Sequence, residues 1–242
     1  AGPLDPSLRR PLPRLPARTD RPRTLLPAPR PGRRTASGTV RRAAARAGGG
    51  RRGRRQRPLS LEEFRRHGAQ AHLFEPDTAE LHSRGHPPAG AVLADGYLLP
   101  LADGVADIAF SSNVLEHVAD PYTFLSELAR VTRPGGLIYV SYTNWLSPWG
   151  GHEWAPWHYL GAERARARYR RRTGRAAKHT LGDNLFPLHI GPVLRHVRSR
   201  ADVTVVSARS RYWPFLTEAV TRVPGLREVA TWNLLLILRR SP

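Results

Sequence analysis

The 242-residue sequence has no cysteine, no methionine and a single lysine, Lys178. Without cysteine, neither a disulfide nor a thiolate-ligated metal can be part of the fold. No apolar run approaches the roughly 20 residues that span a bilayer, and no signal peptide is evident. The expected compartment is therefore the cytoplasm, with no membrane partner. Methionine is missing even at position 1, so the sequence is expected to be a fragment, to be processed, or to lack its true start. Residues 1–58 also lack every aromatic side chain.

Charge is present in excess, at +20, but unevenly. Residues 1–58 hold 17 Arg against 2 Asp, or +15, and residues 59–242 hold 22 Lys plus Arg against 17 Asp plus Glu, or +5. The first segment also carries 10 of the 23 prolines. Blocks such as Arg9-Arg10-Pro11 and Arg51-Arg52-Gly53-Arg54-Arg55 have neither helical nor strand periodicity. An arm of this composition cannot bury enough apolar surface to offset its chain entropy, and disorder is expected for residues 1–58. Arginine clusters neutralise phosphates, so nonspecific nucleic-acid binding is one function open to it.

The remaining chain is organised around Ala106 to His117. Ile108-Ala109-Phe110 is a short apolar strand without polar alternation, as in a parallel strand covered on both faces. It breaks into Ser112 and Asn113, which the strand delivers to the crevice beyond its carboxyl end. Asp120-Pro121 supplies an N-cap and a first helical residue. Phe124, Leu125, Leu128 and Val131 then share one helical face. The helix is expected to stop at Arg133-Pro134-Gly135-Gly136, before a buried strand Leu137-Ile138-Tyr139-Val140. Together these make one βαβ unit.

The succession Leu99-Pro100-Leu101-Ala102-Asp103-Gly104, Asn113-Val114-Leu115-Glu116-His117-Val118-Ala119-Asp120-Pro121 and Arg130-Val131-Thr132-Arg133-Pro134-Gly135-Gly136 resembles the class I S-adenosylmethionine-dependent methyltransferases, specifically the type acting on small molecules. The resemblance covers residues 60–143 and extends to the tail. It implies an α/β, Rossmann-like fold whose mostly parallel sheet has an antiparallel C-terminal edge. The implied activity is methyl transfer from S-adenosylmethionine to a small or lipid-like acceptor.

The resemblance also implies site residues. Ala71-His72-Leu73-Phe74 reads as a strand ending at Glu75, whose acceptor-only carboxylate would take both ribose hydroxyls of the cofactor; the alternative is an exposed turn carboxylate. Ala91-Val92-Leu93-Ala94 is followed by Asp95 and Gly96, matching residues that accept from the adenine amino group and allow close approach. A plain Asp-Gly turn is the other reading. Asn113 is expected to contact the cofactor or to line the acceptor pocket. His117 is either a general base or a structural histidine, and Glu116 is equally ambiguous. No catalytic residue is assigned.

Such enzymes need a first central strand ending in a Gly-rich turn. Gly48-Gly49-Gly50 is the only candidate, and the Arg41-to-Ala47 run before it is no buried strand. Its separation from Glu75 is 27 positions, 75 − 48, where the nucleotide-binding pattern has about 20. Residues 1 to about 58 are therefore expected to be a shifted reading frame or to follow from a misplaced start. Two further functions stay open for this reason: a degraded methyltransferase-fold binding protein, and a nucleic-acid-associated protein acting through the arm.

Beyond the βαβ unit, residues 144–200 are expected to form an acceptor-side insertion within a 59–242 domain. Residues 144–159 hold four of the six tryptophans, either lining a pocket rim or packing on one another. His152, Glu153 and His158 have no diagnostic ligand spacing, so no metal site is expected. The Arg-dense stretch from Glu163 to Arg175 reads as a solvated helix. Val203 to Ser207 and Trp232 to Leu238 read as closing strands, separated by a helical stretch interrupted at Pro224-Gly225.

Overall fold

Apolar strands without polar alternation need cover on both faces, and this chain supplies it with helices on either side of a seven-stranded sheet. The computed structural model describes residues 38–42 (backbone only), 61–82, 87, 89–212 and 217–242. Along the chain run β1 (Gly38–Arg42), α1 (Leu61–Arg66), β2 (Gln70–Glu75), α2 (Thr78–His82), β3 (Ala91–Leu93), β4 (Ala106–Ser112), α3 (Pro121–Val131) and β5 (Thr132–Thr143). After a long irregular segment come α4 (Ala162–Thr173), α5 (Ile190–Ser199), β6 (Val203–Ser210), α6 (Thr217–Arg222), α7 (Leu226–Ala230) and β7 (Asn233–Arg240).

The strand order is β3-β2-β1-β4-β5-β7-β6. Strands β1 to β5 are mutually parallel, and β7 runs antiparallel to both β5 and β6. The mostly parallel α/β sheet with an antiparallel C-terminal edge is thus present. The order reverses between β1 and β4, which makes the carboxyl ends there a topological switch point.

One expectation is corrected. No strand was legible in residues 38–42, yet their backbone pairs with Gln70–Phe74 on one side and Ile108–Phe110 on the other. Arg41 and Arg42 hid it from a hydrophobicity pattern, because sheet pairing is made by backbone groups and not by side-chain type. The Gly48-Gly49-Gly50 turn and the rest of the arm lie outside the described residues.

The βαβ unit forms as its residues dictate. The Asp120 carboxylate accepts from the N–H groups of Tyr122 and Thr123 at 3.0 and 3.1 Å, and Pro121 follows as the first helical residue. Phe124, Leu125, Leu128 and Val131 are buried. Phe124, Leu125 and Leu128 meet Ala109, Ile138 and Val140 of the sheet, and Val193, Leu194 and Val197 of α5 extend the same core, while Val131 packs with Phe74, Leu99 and Ala106. The backbone enters β5 at Thr132, earlier than the expected Leu137, and its pairing with β4 is irregular over that stretch. Gly136 is needed there. A Cβ on it would lie 2.9 Å from the carbonyl oxygens of both Arg133 and Asp107.

A polar clamp fixes the Leu99–Gly104 motif against α3. Buried Glu127 accepts from Leu99 N–H at 2.6 Å and holds the Arg130 guanidinium at 2.7 Å through both oxygens. Arg130 in turn donates to Leu101 O, Leu99 O and the Asp103 carboxylate. The hydrogen bonds that Arg130 donates to Glu127 hold its guanidinium still more firmly protonated than usual. Among the described residues no helix is long and apolar enough to cross a membrane.

Candidate functional site

Because β2, β3 and β4 are parallel, their carboxyl ends open on one edge of the sheet. Glu75 closes β2, one residue separates Asp95 from the end of β3, and Asn113 directly follows β4. Glu75 pairs in register with Leu93 and is buried at 8% exposure. It is therefore not an exposed turn carboxylate. Its Oε1 accepts from Asp77 N–H at 3.2 Å.

Asp95 shapes a turn and faces open space. Its Oδ1 accepts from Tyr97 N–H at 2.9 Å and its carbonyl from Leu98 N–H at 3.2 Å. The neighbouring Gly96 is buried. Asn113 is held at a φ of 53°, with its N–H on Ser141 O at 2.7 Å. Its side-chain oxygen accepts from Asn233 Nδ2 at 2.9 Å, which ties β4 to β7. Ser112, expected in the crevice, is buried instead. Its hydroxyl accepts from Arg211 at 2.9 Å and from Ser141 at 3.1 Å.

A cleft of about 560 Å³ lies along this edge. Pro76, Leu93, Ala94, Asp95 and Tyr97 form one wall, His117, Val118 and Ala119 the next, and Asp183 and Phe186 the third. Of the four residues singled out from sequence, Asp95 lines the cleft directly. Glu75, Gly96 and Asn113 are not among its lining residues, although Pro76, next to Glu75, is. The walls are cross-tied: Tyr97 OH accepts from Asp120 N–H at 2.9 Å, and Phe186 N–H donates to Glu116 O at 2.9 Å.

Glu116 has a structural part that sequence left open. It is 1% exposed, and its Oε1 accepts from Thr143 N–H at 3.0 Å. Burial pushes its carboxyl above the ordinary glutamate value. Oε2 has no hydrogen-bond partner among the described residues.

The tryptophans divide. Trp154 is 1% exposed and packs with Ala165 and Leu185, joined by the half-buried Trp145. Trp149 and Trp157 remain exposed, and Trp157 lies under Arg168 at 4.0 Å. None of the four is among the residues lining the large cleft. Packing is thus what Trp145 and Trp154 do.

The histidines gather in a way no local spacing could announce. His152 was weighed with Glu153 and His158, but His158 turns away to Trp145 O at 3.0 Å. His152 instead meets His117 and His179, with ring centroids 4.6 to 5.2 Å apart. His179, which no sequence signal marked, is 6% exposed and held by Glu153. Burial chiefly, with the nearby His117 charge, lowers the His152 pKa to about 4.

Comparison with known proteins places this geometry. A family model described as a methyltransferase domain matches residues 57–140. An uncharacterised methyltransferase of Mycolicibacterium gilvum is 48% identical over 169 residues, covering 68% of this chain and 66% of that protein. Another, from Mycobacteroides abscessus, is 44% identical over 179 residues, covering 71% and 68%. The chain spans 62% of the length of a Mycobacterium leprae relative, so these proteins extend beyond what it matches. In fold it is similar to a SAM-dependent methyltransferase from Methanosarcina mazei, with a TM-score of 0.51, 11% identity, and coverage of 86% and 93%.

Proposed function

Because this chain belongs to the methyltransferase-domain family, we propose that it transfers a methyl group from S-adenosylmethionine to a small-molecule acceptor held at the carboxyl edge of the sheet. One observation carries the reading: a cleft of about 560 Å³ sits at the ends of β2 and β3, and Asp95 opens into it. That volume lies within the roughly 300–1,000 Å³ of small-molecule sites. Its walls suit a nucleoside, with apolar Leu93, Tyr97 and Phe186 for a base and carboxylates beside them for polar edges.

In this reading Glu75 accepts from the ribose hydroxyls, for which an acceptor-only carboxylate is suited. Asp95 accepts from the adenine amino group, and Gly96 keeps the backbone slim beside it. Asn113, fixed by Asn233, holds the end of β4 in place at the site's inner border. When bound, the cofactor supplies a sulfonium-activated methyl group. The chain's own residues then need only align the acceptor and exclude water, so no base is assigned. The acceptor is met by residues of the 144–200 segment, of which Asp183 and Phe186 already form a wall.

Calorimetry with S-adenosylhomocysteine tests this. The folded chain should bind it at one site, with D95A and E75A each weakening binding by at least about tenfold, or 1.4 kcal/mol. No binding by the folded chain, or unchanged affinity in both variants, overturns the proposal.

A further inference from the structure

We propose that His117, His152 and His179 form a binding site for a divalent transition-metal ion of the zinc class, on the border of the cleft. One potential ligand atom from each residue lies within 4.8 Å of the other two. The three come from separate parts of the chain: a short helical turn ending at His117, another that begins at His152 with a φ of 51°, and the stretch after α4. A fold that brings three imidazoles together from such distances specifies the cluster through tertiary structure.

The surroundings of each ring supply the stronger argument. His117 Nδ1 faces Asn184 O at 2.7 Å, His152 Nδ1 faces Gly150 O at 3.3 Å, and His179 Nδ1 faces the Glu153 carboxylate. Carbonyls and an ionised carboxylate only accept, so Nδ1 carries the hydrogen in all three. In the neutral ring that leaves Nε2 as the nitrogen with the lone pair. Metal-bound histidines are oriented by such outer contacts, two carbonyls and a carboxylate being their usual partners. Glu153 is itself fixed by His179 N–H, at 2.8 Å on the other oxygen.

An unpartnered buried oxygen points the same way. Glu116, one residue before His117, is a buried carboxylate whose Oε2 lacks a partner among the described residues. A cation beside it offsets that cost. The donor set is all imidazole, which selects zinc, copper or nickel over the oxygen-seeking magnesium and calcium. Three ligands leave a coordination position open, as in reactive zinc centres. His117 lines the cleft, so the open position borders the space assigned to the acceptor.

The site stands on its own residues and does not depend on methyl transfer. Chelator-stripped, tag-free protein should be titrated with Zn²⁺ by calorimetry and with Co²⁺ by visible absorption, with circular dichroism confirming the fold. One equivalent should bind, and Co²⁺ should show the intense visible bands of a low-coordinate nitrogen site. H152A and H117A, both at half-buried positions, should lose at least about 100-fold in affinity. The proposal is overturned if folded wild type takes up neither ion, or if folded H152A and H117A bind as wild type does. S-adenosylhomocysteine binding in the same samples separates the two readings. Absent metal uptake with intact nucleoside binding sinks this site alone, and the converse sinks the methyl-transfer reading alone.

Discussion

The β4–α3–β5 unit and the loop-rich segment from Asn144 to His189 that carries α4 flank the same cleft but are stabilised by different means. In the first, polar partners are close in sequence: Asp120 caps Tyr122 and Thr123, and Glu127 holds Arg130. In the second, they are remote. His158 reaches back to Trp145 O, His117 reaches Asn184 O, and buried Asn144 donates to Glu228 O and Thr231 O. Local partners form as soon as the helix does, whereas remote ones exist only when the whole domain is assembled. The scaffold is thus specified locally, and the wall of the cleft that carries Asp183 and Phe186 is specified by tertiary contacts.

The largest test of that contrast is R130A. It removes the cation from a 6%-exposed Glu127 and frees the Leu99–Gly104 motif at several points. Leaving a buried carboxylate unpaired costs about 3 kcal/mol, which for a chain of this size lowers Tm by roughly 6–12 °C. Hydrogen exchange at Leu99 N–H, the other partner of Glu127, should speed up. Exchange at His179 should change only as much as global stability does. An E127Q/R130A double variant should lose less than the sum of its parts, because the two act as one unit.

E153A probes the other region. Two hydrogen bonds to His179 disappear, one to its backbone N–H and one to its ring. The expected loss is about 2 kcal/mol, or roughly 4–8 °C in Tm. Exchange at His179 N–H should rise well beyond the global effect while Leu99 stays protected. If both variants loosen both regions equally, the cleft is one cooperative unit and the distinction fails.

The same contrast explains what was legible in the sequence. Asp120-Pro121, the Phe124-to-Val131 face and the apolar Ile138 and Val140 carry their structure in residues a few positions apart, and they fold accordingly. Strand β1 was illegible because its pairing is a backbone matter and its last residues are arginines. Helix α5 was missed although Val193, Leu194 and Val197 lie on its buried face, because one histidine and three arginines from Ile190 to Arg200 dilute the apolar pattern. Glu75 and Asp95 were legible as strand-end residues because β2 and β3 are parallel and bring their carboxyl ends to one edge of the sheet. His179 had no such signal. Its partners Glu153, His117 and His152 are 26 or more residues away.

Asp202 offers a third junction, distant from both walls, that should respond only weakly. Its carboxylate takes the Arg200 guanidinium at 2.8 and 2.6 Å and Arg240 at 2.7 Å, tying the end of α5 to the ends of β6 and β7. The hydrogen bond from Arg200, more than any other influence, draws its pKa below the ordinary 3.8. A depressed carboxyl binds its proton more weakly in the folded chain than in the unfolded one. The stability it contributes is complete above the unfolded value of 3.8 and is lost as pH falls through the lower folded value. Because its side chain is 37% exposed, solvent limits that contribution to about 1 kcal/mol or less. D202N should therefore lower Tm by a few degrees near neutrality, and the gap from wild type should close in acid below about pH 4. Parallel Tm-versus-pH curves for the two proteins would show that the Arg200–Asp202–Arg240 contact is electrostatically silent. The sheet's antiparallel edge would then be held by backbone pairing and apolar packing alone.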